Sequence, residues 1–251
     1  MGEFMALYVG STKIGTTAYC NSQKLKKMKL NTTDVWQGLP EIYNTLKNST
    51  SAITQAQWLE FLNTGCVALV IENNDQANFR NKTITLENTA VSAYKIWTIA
   101  DFNHDNTSNT VDVIQTKTIY NSIFNSSGHT YNGSTIRNWL INSYLPYFNA
   151  DIKNKMQTML VETYTGNTND KIKILSGKEC YNLTSYSEGA FYPIFLSDNS
   201  RKRSGTSANW WLRTIYQDGS NNSVFYINNI GEIKGARTST SYGVMPCIRF
   251  A

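Results

Sequence analysis

Charged residues are scarce in this chain. Asp, Glu, Lys and Arg make up 16% of its 251 residues, and the formal net charge is +5. Apart from basic clusters at residues 24–29 and 201–203, the positive charge is spread along the sequence. A nucleic-acid-binding domain concentrates basic charge on one face and interleaves it with aromatic residues. We therefore expect no nucleic-acid partner.

Residues suited to catalysis are also few. His104 and His129 are the two histidines, so they are the only candidates for a histidine general base near neutral pH. The sequence contains no G-x-S-x-G nucleophile motif, no phosphate-binding glycine loop and no H-E-x-x-H zinc motif. These absences predict that the protein is not an enzyme.

The four cysteines, Cys20, Cys66, Cys180 and Cys247, stand far apart and include no C-x-x-C pair. This spacing excludes a structural zinc site and a dense disulfide framework, and it predicts buried free thiols. No hydrophobic run reaches the length of a membrane span, and no secretory signal is evident. We expect no membrane span; if the protein acts outside a cell, it leaves by lysis, as part of a virion or after removal of a leader.

Hydrophobic residues make up 41% of the chain, and 15 tyrosines and 6 tryptophans are among them. This composition is typical of a globular, β-rich protein. Apolar spacing predicts helices at residues 41–46 and 54–63, a buried strand at 67–71 and a second strand at 94–100. The fold class expected from this order is α+β.

Two units are predicted. Short strand-like runs at residues 7–10 and 27–30 indicate a small β-rich N-terminal module over residues 1–50, of which 1–4 are typical of a vector-derived tag. Residues 51–251 then form the larger domain. An ordinary N-terminal hairpin packed on the main domain remains an open alternative for the first unit.

The clearest helix signal begins at Ser134, which is a favourable N-cap residue. Further strands are predicted at residues 161–164 and 172–175, and a helical turn at Cys180. The apolar face of the Ser134 helix is formed by Ile136, Trp139, Leu140 and Tyr144.

Residues 101–112 carry the spacing of a calcium-binding loop, because oxygen-bearing side chains recur at alternate positions. The candidate ligands are Asp101, Asn103, Asp105 and Asp112, so a structural Ca²⁺ is one expectation for this loop. However, Asn106 replaces the usual glycine, and the flanking residues resemble strands. The alternative is a hairpin in which Asp101 and Asp112 stabilise turns.

The C-terminal stretch, residues 208–250, alternates bulky apolar anchors such as Trp210 and Trp211 with small, polar and aromatic residues. Tyr, Ser, Asn, Gly and Arg are favoured in recognition loops, since a Tyr ring covers a large area at low entropic cost. A solvated hairpin is the alternative. The candidate ligand-binding residues are Thr214, Tyr216, Asp218, Asn221, Asn222, Tyr226, Asn228, Asn229, Arg237, Thr238 and Tyr242.

Several motifs carry a family resemblance. They are W-W-L-R at residues 210–213, V-F-Y-I-N at 224–228, G-V-x-P-x-x-R-F at 243–250, Y-x-G-S-x-I-R-x-W-L at 131–140 and W-x-I-A-D-x-N-H-D at 97–105. Together they resemble the C-type-lectin-like domain of phage tail and surface proteins, which includes the variable proteins of diversity-generating retroelements. Met245 departs from the arginine usual at its position in that family.

The resemblance implies a constant frame on which intervening residues are rewritten to change the ligand. It predicts a ligand-binding or receptor-binding protein whose partner is a protein or cell-surface ligand, located on a virion tail or cell surface, as a homo-oligomer or virion subunit. A structural tail subunit without a foreign ligand is the main alternative. Formylglycine-generating oxidases share the fold, which makes Cys180 and Cys247 the candidates for an enzymatic alternative.

Overall fold

The computed structural model describes residues 39–87, 95–217 and 222–251, together with the backbone of four short strands between Tyr19 and Gln37. Within these residues the α-helices are α1 (Glu41–Asn48), α2 (Gln55–Asn63), α3 (Cys66–Glu72), α4 (Gln76–Phe79), α5 (Thr135–Trp139), α6 (Ala150–Lys155), α7 (Gly177–Tyr181) and α8 (Asp198–Arg201). Shorter turns of 3-10 helix lie at His104–Asn106 and Leu145–Tyr147, and a π-helical turn at Leu140–Tyr144 extends α5.

Runs of strands are interspersed with runs of helices, so the described residues form a mixed α+β fold, as the sequence predicts. They are β1 (Tyr19–Cys20), β2 (Gln23–Lys24), β3 (Lys27–Leu30), β4 (Thr33–Gln37), β5 (Thr83–Thr85), β6 (Ile96–Phe102), β7 (Val111–Gln115), β8 (Asn121–Ile123), β9 (Met159–Val161), β10 (Thr168–Asp170), β11 (Ile172–Ile174), β12 (Trp210–Ile215), β13 (Ser223–Ile227), β14 (Ile233–Arg237), β15 (Ser241–Gly243) and β16 (Pro246–Phe250). None of the helices in the described ranges has both the length and the apolar character needed to cross a bilayer.

Two five-stranded sheets organise the larger unit. The first has the strand order β11-β16-β7-β6-β5, and the second has the order β14-β13-β12-β15-β8. Neighbouring strands are antiparallel except β12 and β15, which pair in parallel at Trp210 and Gly243. The buried residues Val244 and Met245 connect β15 in the second sheet directly to β16 in the first. The C-terminal stretch therefore contributes four of the five strands of the second sheet and joins the two sheets.

Side chains on both faces of strand β12 belong to the hydrophobic core. Trp211 belongs to the larger hydrophobic cluster, whereas Trp210 and Leu212 belong to a second cluster. This division follows from the alternation of side chains along a strand. All six residues of β12 are buried. The tryptophan pair thus anchors the second sheet to the rest of the protein on both sides.

The predicted strand at residues 67–71 is wrong, because these residues lie in helix α3. Gly65 precedes it with φ of 69°, a left-handed conformation that ends α2 and starts a second helix at once. Cys66, Val67 and Val70 then face the core at helical spacing. A short apolar run does not distinguish a buried strand from a buried helix by periodicity.

Most other predicted elements in the described residues occur with small shifts of their ends, but the predicted strand at 161–164 shares only Val161 with β9, and the predicted strand at 7–10 lies outside the described residues. α1 and α2 form where helical spacing predicts them, and the predicted strand at 94–100 is β6. The hydroxyl of Ser134 accepts a hydrogen bond from the amide of Arg137, so Ser134 is the N-cap of α5. α1 packs into the core of the larger unit, whereas the sequence places residues 41–48 in the N-terminal module.

Candidate ligand-binding face and cleft

The predicted recognition residues do not form one surface. Tyr216, which follows β12, is 37% exposed, and its ring packs against Phe225 at a centroid distance of 5.0 Å. The ring also lies over Gly235, where a Cβ atom would come within 2.1 Å of it. Arg237 is exposed and is two residues beyond Gly235 in β14, so strand alternation places it on the same face. We call Tyr216, Phe225, Gly235 and Arg237 the Tyr216 face.

Tyr226 and Tyr242 lie on the opposite face of the same sheet. Their rings are 4.4 Å apart, and Tyr242 packs 4.8 Å from Trp211 in the larger core cluster. Burial, together with a hydrogen bond to Tyr226, raises the pKa of Tyr242 to about 12. These two predicted residues are half-buried and pack against the core, so they do not share a binding surface with Tyr216.

The hairpin of β13 and β14 separates the remaining residues. Asn222 and Arg237 lie at the end where Ser223 pairs with Arg237, and Asn228 and Asn229 lie in the turn at the other end. Four residue steps separate the two ends, which corresponds to roughly 13 Å. The side chain of Asn228 accepts hydrogen bonds from the amides of Ile230 and Glu232, so it stabilises its own turn.

Two predicted contact residues are buried, and the expectation that they are displayed is wrong. Thr214 is fully buried, because the sheet packs against core on both faces of β12. Its hydroxyl accepts a hydrogen bond from the amide of Gly177 at 2.7 Å and donates one to the carboxylate of Glu188. Thr238 is 3% exposed, and its backbone holds the loops around it. Asp218 and Asn221 lie outside the described residues.

A polar cleft of about 330 Å³ borders the Tyr216 face. Its connection to that face is the ring of Tyr186, which packs against Phe225 at a centroid distance of 6.0 Å. Tyr164 is 63% exposed at the rim. We call this cavity the Glu188 cleft. It is lined by Thr163, Tyr164, Ser185, Tyr186, Ser187 and Glu188.

Glu188 lines the cleft and is buried, with 2% of the residue exposed. It accepts a hydrogen bond from the amide of Tyr164 at 3.2 Å and another from the hydroxyl of Thr214. Burial raises the pKa of Glu188 above its ordinary value; Arg213 and Thr214 oppose this shift, and the nearby charge of Glu179 adds to it. A carboxyl with a perturbed pKa in an open cleft is typical of a functional site.

A buried ion network of Lys173, Glu179 and Arg213 is bonded to the loop that forms this cleft. Glu179 accepts hydrogen bonds from Lys173 at 2.6 Å and from Arg213 at 2.6 and 3.1 Å. Despite burial, these cations hold the pKa of Glu179 far below its usual range. Arg213 also donates to the backbone carbonyl of Glu188 at 3.0 Å. The network therefore ties the loop that carries Glu188 to β12.

The four candidate calcium ligands have other partners. Asp101 accepts hydrogen bonds from Arg80 at 2.7 and 3.0 Å, and the buried Asp112 accepts from Arg249 at 2.6 and 2.8 Å. Asn103 has φ of 52° at the start of the turn, which suits an asparagine in a tight loop. Asp105 accepts from the amide of Ala190 and from Arg249. Strands β6 and β7 form an antiparallel hairpin around these residues, but the carboxylates of Asp101 and Asp112 pair with arginines and do not cap turns.

A second cluster with metal-ligand chemistry lies nearby. One ligand atom from each of His104, Asp105 and Glu179 lies within 4.8 Å of the others, and His104 stacks on Tyr192 at 3.6 Å. Glu179, however, already binds two cations, Lys173 and Arg213. A divalent ion here would face these buried positive charges at close range, which would oppose its binding.

The described cysteines lack the environment of a reactive thiolate. Cys66, Cys180 and Cys247 are buried and free. Burial raises the pKa of Cys247 to about 12 and that of Cys180 well above its ordinary value. Because the thiolate is the reactive form, an oxidase mechanism based on Cys180 and Cys247 has no support in this geometry.

The residues of the Glu188 cleft were not predicted from the sequence as binding residues. Their best signal is the run Ser-Tyr-Ser-Glu-Gly at residues 185–189, whose composition resembles that of the C-terminal recognition stretch. Tyr164 lies 24 residues before Glu188, so their contact depends on the tertiary fold.

Comparison with known protein families assigns residues 107–250 to one family. No curated protein matches the chain, and no solved structure matches it. A family model described as a domain of unknown function, DUF6273, matches residues 107–250, which is more than half of the chain and includes β7 through β16. The protein therefore belongs to the DUF6273 family.

Proposed function

We propose that the protein is a ligand-binding protein with a C-type-lectin-like fold, in which the Tyr216 face and the Glu188 cleft form one binding surface. Its partner is a protein or cell-surface ligand, and its place is a virion tail or cell surface. The observation that carries this proposal is an exposed tyrosine ring held at a fixed position over Gly235, beside an open cleft.

The physical basis is preorganisation. β12 is buried along its whole length and anchors the sheet through Trp210 and Trp211. A surface that is already ordered loses little conformational entropy when a partner binds. Exposed side chains on such a sheet can be exchanged at a cost within about 0.5 kcal/mol each. The same property would suit a variable protein of a diversity-generating retroelement or a phage receptor-binding protein.

A binding comparison tests this function. The double variant Tyr216→Ala, Arg237→Ala should lose binding to arrays of glycans and of intact bacterial cells that the unmodified protein recognises. Lys234→Ala is the matched control, because Lys234 is exposed on the same strand but faces the other side. Equal binding by the double variant and the control would refute the assignment of this face. A near-repeat of the coding region that differs only at adenines would establish diversification.

A second candidate function is a structural subunit, and an apolar surface favours it. Leu196 is 81% exposed and Ile230 is 50% exposed. Arg201 donates hydrogen bonds to the carbonyls of Phe195 and Gly231, so the segments carrying Leu196 and Ile230 lie side by side. Such a surface suits contact with a second copy of the chain. Light scattering should then show an oligomer that Leu196→Ser, Ile230→Ser dissociates; a monomer would remove this candidate.

A further inference from the structure

Five carboxylates are buried in the described part of the chain, and Glu188 differs from the other four. Each of the others lies within ion-pair distance of a basic side chain, whereas no described Lys, Arg or His lies that close to the carboxylate of Glu188. The pairs are Asp101 with Arg80, Asp112 with Arg249, Asp170 with Arg137, and Glu179 with Lys173 and Arg213.

Glu188 lines the cleft and retains unused hydrogen-bonding capacity. Each carboxylate oxygen has room for two donors, and the protein supplies one donor to each, from Tyr164 and Thr214. A buried carboxylate without a cation is unfavourable unless further donors or a positive charge reach it. A ligand in the cleft can supply both further hydrogen-bond donors and a positive charge to Glu188.

The basic residues beneath the cleft are committed elsewhere. Lys173 binds Glu179, and Arg213 divides its donors among Glu179 and backbone carbonyls that include that of Glu188. Arg213 does oppose the rise in the pKa of Glu188, yet burial outweighs it. Among the described residues, the carboxylate therefore has no direct cationic partner, although the positive charge of Arg213 lies nearby.

The rest of the cleft lining suits a positively charged organic group. Aromatic rings attract cations through their negative faces, and Tyr164 and Tyr186 lie beside Glu188. The hydroxyls of Thr163, Ser185 and Ser187 can accept hydrogen bonds from an ammonium group. At about 330 Å³ the cavity is at the small end of ligand pockets. A single alkylammonium chain fits this size and chemistry, whereas an anion would meet the carboxylate.

We infer that the Glu188 cleft binds a primary ammonium group, such as a lysine side chain of the partner or a free alkylamine, with Glu188 as its counter-ion. This inference names the chemistry of the ligand at the binding surface proposed above, and in that sense it rests on the proposed function. The Tyr216 face would contact the remainder of the ligand.

Titration with small probes tests the inference at neutral pH. n-Butylammonium is the probe; n-butanol and n-butanoate are the neutral and anionic controls of equal chain length. Binding is followed by the NMR shift of the Tyr164 amide, which donates to Glu188. We expect a saturating shift with n-butylammonium at millimolar concentration and little shift with either control. Glu188→Gln should weaken this binding at least about ten-fold, since it removes the charge, while its oxygen can still accept the hydrogen bond from the amide of Tyr164.

Glu232→Gln is the control for loss of one negative charge at an exposed site. It should leave n-butylammonium binding unchanged. Thermal melting of Glu188→Gln verifies that the variant is folded. Equal affinity of Glu188→Gln and the unmodified protein, equal binding of n-butanol, or no shift with n-butylammonium would each overturn the inference.

These results separate the two proposals. If n-butylammonium fails to bind but Tyr216→Ala, Arg237→Ala still abolishes binding to the arrays, the ammonium inference fails and the ligand-binding function stands. If n-butylammonium binds through Glu188 but the double variant changes nothing on the arrays, the cleft stands and the assignment of the Tyr216 face fails.

Discussion

Replacing Glu179 by glutamine should be among the most destabilising single changes in this protein. Glu179 is fully buried and is the carboxylate partner of both Lys173 and Arg213, at 2.6 Å from each. Glutamine has nearly the same shape, and its oxygen can still accept the hydrogen bond from the amide of Ser176. The substitution therefore removes the negative charge with little change in packing, and it leaves two positive charges buried together.

Removal of one partner from a buried ion pair costs about 3–5 kcal/mol. In a chain of this size, 1 kcal/mol corresponds to a change of about 2–4 °C in melting temperature, so Glu179→Gln should melt roughly 6–20 °C below the unmodified protein. The control is Glu232→Gln, which breaks an exposed pair with Lys234. Exposed pairs contribute about 0–1 kcal/mol, so this control should melt within a few degrees of the unmodified protein.

The assay is urea and thermal unfolding of both variants at several pH values. The pKa of Glu179 is lowered by folding, so its ionisation stabilises the folded state above the ordinary glutamate pKa. That contribution disappears as the pH falls through and below this range. The difference between the unmodified protein and Glu179→Gln should therefore shrink in acid. A loss below about 1 kcal/mol at pH 7 would refute the reasoning, because it would mean that Lys173 or Arg213 is not held as a buried charge.

Four further results are expected. The free energy of unfolding of Glu188→Gln should equal that of the unmodified protein in acid. Above the ordinary glutamate range the variant should be the more stable of the two, because burial disfavours the ionised carboxylate of Glu188. Urea unfolding at several pH values measures this difference. Gly235→Ala should displace the Tyr216 ring, changing its NMR signals and weakening ligand binding, while a Cβ facing a movable side chain lowers stability by only about 1–3 kcal/mol. Cys66, Cys180 and Cys247 should react with a thiol reagent only after unfolding, since all three are buried; rapid labelling of any of these three in the folded protein, located by peptide mapping, would contradict this. Calcium or a chelator should leave the melting temperature unchanged, because arginines neutralise the carboxylates of residues 101–112, and a rise with calcium would restore the metal hypothesis.

Local signals predicted much of the secondary structure. Ser134 starts α5 because a serine hydroxyl can accept a hydrogen bond from an amide three residues later, and that interaction needs no tertiary contact. The segment 67–71 was predicted as a strand, because its apolar run carries no periodicity that separates a strand from a helix. Its helical state depends on the left-handed turn at Gly65 and on packing against α2. These are features of the assembled chain.

The binding surface was predicted less well than the fold. Alternation along 208–250 predicts which residues are polar, but it does not show that β12 lies between two strands with core on both faces. Thr214 is consequently inside the protein, although its polarity is typical of a displayed residue. Glu188 was missed because its partners lie 24 and 26 residues away in sequence. Long-range contacts of this kind follow from sheet topology and have no local sequence pattern.

The ion network and the cleft are linked by Arg213, and this link bears on function. Hydrophobic residues of similar volume can replace a buried ion pair without loss of stability, so Lys173, Glu179 and Arg213 are not required merely to fill the core. Arg213 binds Glu179 and also holds the backbone carbonyl of Glu188, which a hydrophobic side chain could not do. The network thus fixes the position of the Glu188 loop, while no basic side chain in the described part of the chain pairs with the Glu188 carboxylate. A residue so held, in a cleft that borders the Tyr216 face, is fixed in place before a ligand arrives, and this preorganisation supports the proposed binding through a rigid surface.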